Sequence, residues 1–388
     1  MAEPREIRTR PEPDVGRGAE PHAGTEEPAG ITVGDVGEDR VLAAVRAVID
    51  AHNAEEPRAA GLALPPGDDA AVLRLASAEA VLSTDTMAEG QDFRLSWWSD
   101  SVAAGRAVGQ KAAAQNLSDL NAMGAEPLAL LVSCTLPADL PLAAVTALAD
   151  GLTAACRAPG AGRCVVAGGD LGSGPGLAVT ITAVGEPWRP EPSAAARPLR
   201  RDGARPGDVL AISGPLGRAA AGLALIEGGV VAPDARPMRG QSPQEGLLAA
   251  CAAAQTAPSP DLTSGAAAVR AGATAGLDVS DGLLRDARRL AAASDVALEF
   301  DQAALEEEVE SLRRVAETLR RRSPGARPDP RAWVLSGGED YALLATFGAA
   351  AELPEGFRRL GTVRAHDGAP GVDAGGSEGS SGWDSLSG

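Results

Sequence analysis

Aspartate recurs along this chain in five short stations: Gly67-Asp68-Asp69, Ser83-Thr84-Asp85, Asn116-Leu117-Ser118-Asp119, Gly168-Gly169-Asp170 and Asp278-Val279-Ser280-Asp281. Each lies at the end of a strand-like or helix-like stretch, and that alternation restricts the chain to a mixed α/β architecture. Any one station alone reads as a turn or a helix cap. Five exceed what turn chemistry requires.

The intervening segments set the order of elements. Val41 to Ala51 has helical periodicity, and Pro65-Pro66-Gly67 then breaks the chain. Ala80 to Ser83 predicts a short strand running into Thr84-Asp85-Thr86, a position where ligands of α/β sheets bind. Ser101 to Met123 predicts an alanine-rich helix closed by Gly124, with Asn116 and Asp119 on one face. Leu177 to Val184 alternates as a half-buried strand does. The Pro- and Arg-rich run from Trp188 to Pro198 reads as a linker between two domains. A strand over Asp208 to Ile212, a turn over Ser213 to Gly217 and a helix over Arg218 to Glu227 open the second half. A charged helix, Gln302 to Arg322, predicts a solvated face, and the Gly- and Ser-rich stretch beyond Arg364 predicts a tail, flexible from about residue 367. The expected units are a disordered extension over 1–33, an N-terminal domain over 34–190 and a C-terminal domain over 191–388.

With 388 residues, 44% of them hydrophobic, the chain can bury two cores. Its net charge of −18 repels a polyphosphate backbone, so nucleic acid is not an expected partner, and phosphate chemistry would need cations as adaptors. No apolar run is long enough for a membrane span, and residues 1–30 lack the apolar core of a secretory signal, so the expected location is the cytoplasm. Cys134, Cys156, Cys164 and Cys251 show no paired spacing and read as reduced core residues. His22, His52 and His366 adjoin no motif, which removes histidine-based triads and metal sites. Lys111 is the only lysine, in neither a Walker A loop nor the kinase strand context, which removes both large ATP-binding classes.

Converging carboxylates repel one another and raise each other's pKa unless divalent cations neutralise them. Mg²⁺ suits such a set, because it prefers hard oxygen ligands and binds through a few carboxylates plus substrate phosphates. Ser280 is placed to cap a helix whose apolar positions are Leu283, Leu284, Ala287 and Leu290, and that amide end could face a phosphate.

Taken in order, the stations together with Arg201, Gly207-Asp208, Ser280-Asp281-Gly282-Leu283 and Ser336-Gly337-Gly338-Glu339-Asp340-Tyr341 resemble thiamine-monophosphate kinase, of the superfamily typified by aminoimidazole ribonucleotide synthetase. The resemblance covers roughly residues 34 to 388. It implies an α+β, two-domain fold, with an N-terminal α/β domain whose strands pair with a second subunit's into a dimeric β-barrel, and a C-terminal α/β domain. It implies Mg²⁺ ligation by Asp69, Ser83, Thr84, Asp85, Asp119, Asp170, Asp278 and Asp281. ATP contacts are implied for Gly169, Asp170, Arg201 and Ser280, and substrate contacts for Glu339 and the C-terminal aromatic Trp383. The implied partners are ATP and thiamine monophosphate, in a homodimer. At one substrate position the family carries His before Phe, whereas this chain has Asp92 before Phe93, and Asp cannot present an imidazole to an anionic phosphate. With no His or Cys nucleophile in the motifs, the expected mechanism is direct in-line transfer from ATP, with no covalent catalytic residue. The rivals are another ATP-using member of the superfamily and a non-catalytic nucleotide or thiamine-phosphate sensor. Selenophosphate synthetase would be expected to carry a reactive Cys near the N-terminus and the hydrogenase-maturation member a C-terminal Cys, whereas the cysteines here start at Cys134. Aminoimidazole ribonucleotide synthetase would not be expected to show the Ser336 to Tyr341 signature in this form.

Overall fold

The computed structural model describes residues 30–67, 70–189 and 197–375. Asp69 and Trp383 lie outside the described residues, as does most of the expected linker.

A two-stranded ribbon, β1 (Leu62–Leu64) with β2 (Val72–Leu73), precedes two larger sheets. The first contains β3 (Val81–Ala88), β4 (Ala125–Leu136), β5 (Val165–Ser173) and β6 (Ala178–Pro187) in the order β3-β6-β4-β5. All its pairs are antiparallel except β4 with β5. The second contains β7 (Val209–Ser213), β8 (Ala273–Val279), β9 (Ala297–Phe300), β10 (Ala342–Phe347), β11 (Phe357–Arg364) and β12 (Gly371–Asp373), ordered β12-β9-β11-β7-β10-β8. Each sheet has its own core, so the chain is a two-domain α+β protein.

The helix Ser101–Ala122 ties the domains together. Asp100 caps it by accepting the Val102 N–H at 2.9 Å. Its apolar side packs with the helix Leu142–Ala155 and one face of the first sheet. The two helices meet at backbone contact because glycines line the crossing. A Cβ on Gly105, Gly109 or Gly151 would stand 2.1, 1.9 or 1.9 Å from the carbonyl oxygens of Ala144, Leu148 and Arg106. At its C-terminal end Ala122 joins the small core under Leu199, Leu343 and Phe347 of the second domain. Asn121 there bonds Ser264 and the Gly265 N–H, at 3.0 and 2.8 Å.

Several expected elements are present but differently bounded. The strand expected over Ala80 to Ser83 runs from Val81 to Ala88, so Thr84-Asp85-Thr86 sits inside it, because β6 pairs with every residue as far as Ala88. Gly168-Gly169-Asp170 likewise lies within β5, at a bulge opposite Leu130 and Leu131, with Gly168 at φ 149. The helix Gln302–Arg322 is not merely solvated, since Leu305, Val309, Leu312, Val315 and Leu319 bury one face of it. The expected C-terminal tail contains β12, an edge strand parallel to β9. All four cysteines are buried and free. Among the described residues, no helix is long and apolar enough to cross a membrane.

Candidate active site at the domain junction

Period-two alternation along β3 directs Ser83 and Asp85 toward the helix Ser101–Ala122, and Thr84 and Thr86 toward the opposite face. Near the end of that helix, Asp119 accepts a short hydrogen bond from the Ser83 hydroxyl. The preceding residue, Ser118, donates to Asp278 at 3.2 Å, reaching across to β8 of the second domain. Asp85, Asp119 and Asp278 thus converge from a strand, a helix and the other sheet.

Their electrostatics show what the cluster lacks. Burial pushes Asp119 up to about 8, with the charges of Asp278 and Asp85 adding to the effect and Ser83 opposing it. Asp278 is pushed up to about 7 by burial, with Asp286 and Asp85 adding and the Ser118 hydroxyl and Arg201 guanidinium opposing. Three carboxylates therefore face one another with a nearby arginine as partial compensation. Hard oxygen donors short of counter-charge suit Mg²⁺ chemically; among the described residues, no group of three or more His, Cys, Asp or Glu side chains is placed to hold a metal ion by itself.

The loop after β8 is built differently from its sequence reading. Ser280 is not the cap of the following helix, Leu283–Ser294; Gly282, at φ 111, occupies that position. The amides of Ser280 and Asp281 donate to the Asp286 carboxylate at 3.0 and 2.9 Å, so it is Asp286 that shapes the loop. Asp281 itself pairs with Arg289 at 2.6 Å. Asp286 was missed at the sequence level, yet a signal existed: it stands three residues after Leu283 and four before Leu290, inside the apolar stripe, where a charged residue needs a reason.

A second group lies at the same junction. Asp92 turns back to accept the Ala88 N–H at 2.7 Å. Burial raises its pKa, helped by Glu339 and opposed by the Ala88 bond and by Lys111. Glu339 accepts from Gln255 at 2.7 Å and pairs with Lys111 at 2.5 Å. Two of the substrate residues implied by the family resemblance, Asp92 and Glu339, are thereby brought together with Lys111.

Not every expected site residue joins. The Thr84 hydroxyl bonds the Ile181 carbonyl and Thr182 on the far face of the sheet, leaving only its main chain near the cluster. Gly169 and Asp170 lie on β5, three strands from Asp85, about 14 Å at the usual strand spacing. Asp170, in register with Ser133, also points to the opposite face. A cleft of about 680 Å³ lined by Arg94, Trp97, Trp98 and Glu227 contains none of the expected residues.

The first domain is of a recognised class: residues 67–186 match the family described as AIR synthase related protein, N-terminal domain. The chain is 38% identical over 342 residues to the thiamine-monophosphate kinase of Mycobacterium tuberculosis, covering 88% of this chain and 91% of that one. It therefore belongs to the thiamine-monophosphate kinase family. Solved structures agree: the thiamine-monophosphate kinase from Stenotrophomonas maltophilia superposes with a TM-score of 0.66 at 29% identity, over 85% of this chain and 95% of that one. AaThiL complexed with AMPPCP and TMP superposes with a TM-score of 0.63 at 29% identity, over 81% and 90%.

Proposed function

We propose that this chain transfers the γ-phosphate of ATP to thiamine monophosphate, forming thiamine diphosphate and ADP. The observation that carries the reading is the convergence of Asp85, Asp119 and Asp278 across the domain junction beside the Asp92–Lys111–Glu339 group. Family membership and the relative solved with AMPPCP and TMP support it.

In this reading Asp85, Asp119 and Asp278 hold Mg²⁺, with Ser83 and the Thr84 main chain beside them, and Asp69 and Asp281 complete the set. Bound there, Mg²⁺ supplies charge neutralisation that lets two anionic phosphates meet. Ser83 and Ser118 orient two of the carboxylates, and Asp286 shapes the loop carrying Ser280 and Asp281. Arg201 and Ser280 serve ATP, and Asp92, Glu339 and Trp383 serve the acceptor; Gly169 and Asp170, implied for ATP by the resemblance, lie on β5 at the far edge of the first sheet. The attacking phosphate oxygen is ionised at neutral pH, so no side chain has to remove a proton. Mixing with γ-labelled ATP tests direct transfer: label appears in thiamine diphosphate, and label trapped on the protein would refute it.

A pH dependence follows from the raised carboxyls. Asp119 and Asp278, at about 8 and about 7, must lose protons to bind a cation. Mg²⁺ affinity is expected to rise between pH 6 and 9, with roughly one proton released per binding event near pH 7. Calorimetry in buffers of different ionisation enthalpy reads that release; affinity independent of pH would contradict the assignment.

The functional unit we propose is a cytoplasmic homodimer, with domains over 34–190 and 191–388. Its support is the far face of the first sheet, where Leu82 is 68% and Leu131 44% exposed beside Thr84, Thr86 and Thr182. The same face carries Asp170. Light scattering at micromolar concentration should give a dimer mass; a monomer contradicts this part.

A further inference from the structure

This chain uses arginine for every cationic aliphatic side chain but one. The exception, Lys111, is 1% exposed within the helix Ser101–Ala122. Its ammonium lies 2.5 Å from Glu339 Oε1 and donates to the Asp92 carbonyl oxygen at 2.9 Å. A compact tetrahedral ammonium can meet a carboxylate and a carbonyl at once in a buried space; a planar guanidinium cannot be substituted there without moving both. The other Glu339 oxygen accepts from Gln255 of the helix Pro243–Thr256. Glu339 is held from behind as well. It and Tyr341 adopt φ of 65 and 51, a backbone region unfavourable for side-chain-bearing residues. Asp340 between them anchors the turn by accepting the N–H groups of Gly217 and Ala219. Both oxygens of a carboxylate that is still 29% exposed are thus fixed by separate elements.

We propose that Lys111 is a positioning residue for the acceptor site. It locks the Glu339 carboxylate to the main chain at Asp92, so that the two domains present one preformed wall to the acceptor. It also offsets negative charge on a wall, formed by Asp92 and Glu339, that an anionic phosphate ester must approach. The inference rests on the reading that Glu339 faces the acceptor.

The test measures kcat, KM for thiamine monophosphate and KM for ATP on the full chain and on Lys111→Met, Gln255→Leu, Glu339→Gln and the Lys111→Met/Glu339→Gln double variant. For Lys111→Met, KM for thiamine monophosphate is expected to rise about thirtyfold or more, the consequence of breaking a buried charge pair. KM for ATP and kcat should stay within about threefold, because the ATP side of the junction is untouched. The double variant should be no worse than the poorer single one. An unchanged acceptor KM in Lys111→Met overturns the proposal, as does a parallel change in both KM values and kcat with a lowered Tm, which marks a structural role alone. Should Lys111→Met fail to fold, Gln255→Leu carries the test: it frees one Glu339 oxygen without burying an unpaired charge, and its acceptor KM must rise. A normal acceptor KM in Glu339→Gln removes the premise, and does so without touching the kinase reading, which wild-type turnover establishes separately.

Discussion

Asp119→Asn is expected to lower turnover roughly a hundredfold or more while raising the stability of the metal-free protein. Asn keeps the shape and can still accept from Ser83, so the fold has no reason to fail. What it loses is a negative charge in a cluster where burial and the neighbouring Asp278 and Asp85 already push the carboxyl up to about 8. The sign is definite. A folded-state pKa raised above the unfolded value of 3.8 contributes stability at low pH that is lost as pH rises toward 8. Asn carries no such loss, so at pH 8 to 9 without metal the variant should melt about 2 °C or more above wild type. Added Mg²⁺ should reverse the order by stabilising wild type alone. Calorimetry with and without Mg²⁺ checks both halves, and near-normal activity would sink the metal-site assignment.

Gly109→Val is expected to destabilise the protein by about 3 kcal/mol or more, an overpacking cost at the upper end of the usual range. A Cβ at this position already meets the Leu148 carbonyl oxygen at 1.9 Å, and backbone cannot swing aside as a side chain can. Relief requires the helices Ser101–Ala122 and Leu142–Ala155 to separate. The first of these carries Lys111, Ser118 and Asp119, so activity should fall with stability even though Gly109 touches neither cluster. Chemical denaturation measures the loss; a change below about 0.5 kcal/mol, the range of an ordinary surface substitution, would contradict the packing account.

Much of the local structure was legible. Alanine-rich periodicity and a glycine stop placed the helix carrying Asp119, and the Thr-rich alternation placed β6. What stayed hidden was long-range. Ser118 and Asp278 are 160 residues apart, and nothing in either motif states that they share a hydrogen bond. The strand over Thr84 to Thr86 looked like a strand end because its polar residues break the apolar run. Pairing with β6, rather than hydrophobicity, carries it to Ala88. Ser280 looked like a cap because its spacing fits one, but Asp286 takes the loop amides and Gly282 the turn. Lys111 stood out by composition alone, and its partner Glu339 appeared only when the domains came together. The stations Asp69 and Trp383 fall outside the described residues, and Gly169 with Asp170 sits on the far edge of the sheet, so those expectations rest on the resemblance.

The most direct measurement is ADP release by the purified chain with ATP, with thiamine monophosphate and Mg²⁺ each omitted in turn, and chromatography of the products. The account predicts ADP and thiamine diphosphate in equal amounts only when all three are present. ATP bound without thiamine diphosphate formed under any of these conditions would contradict it.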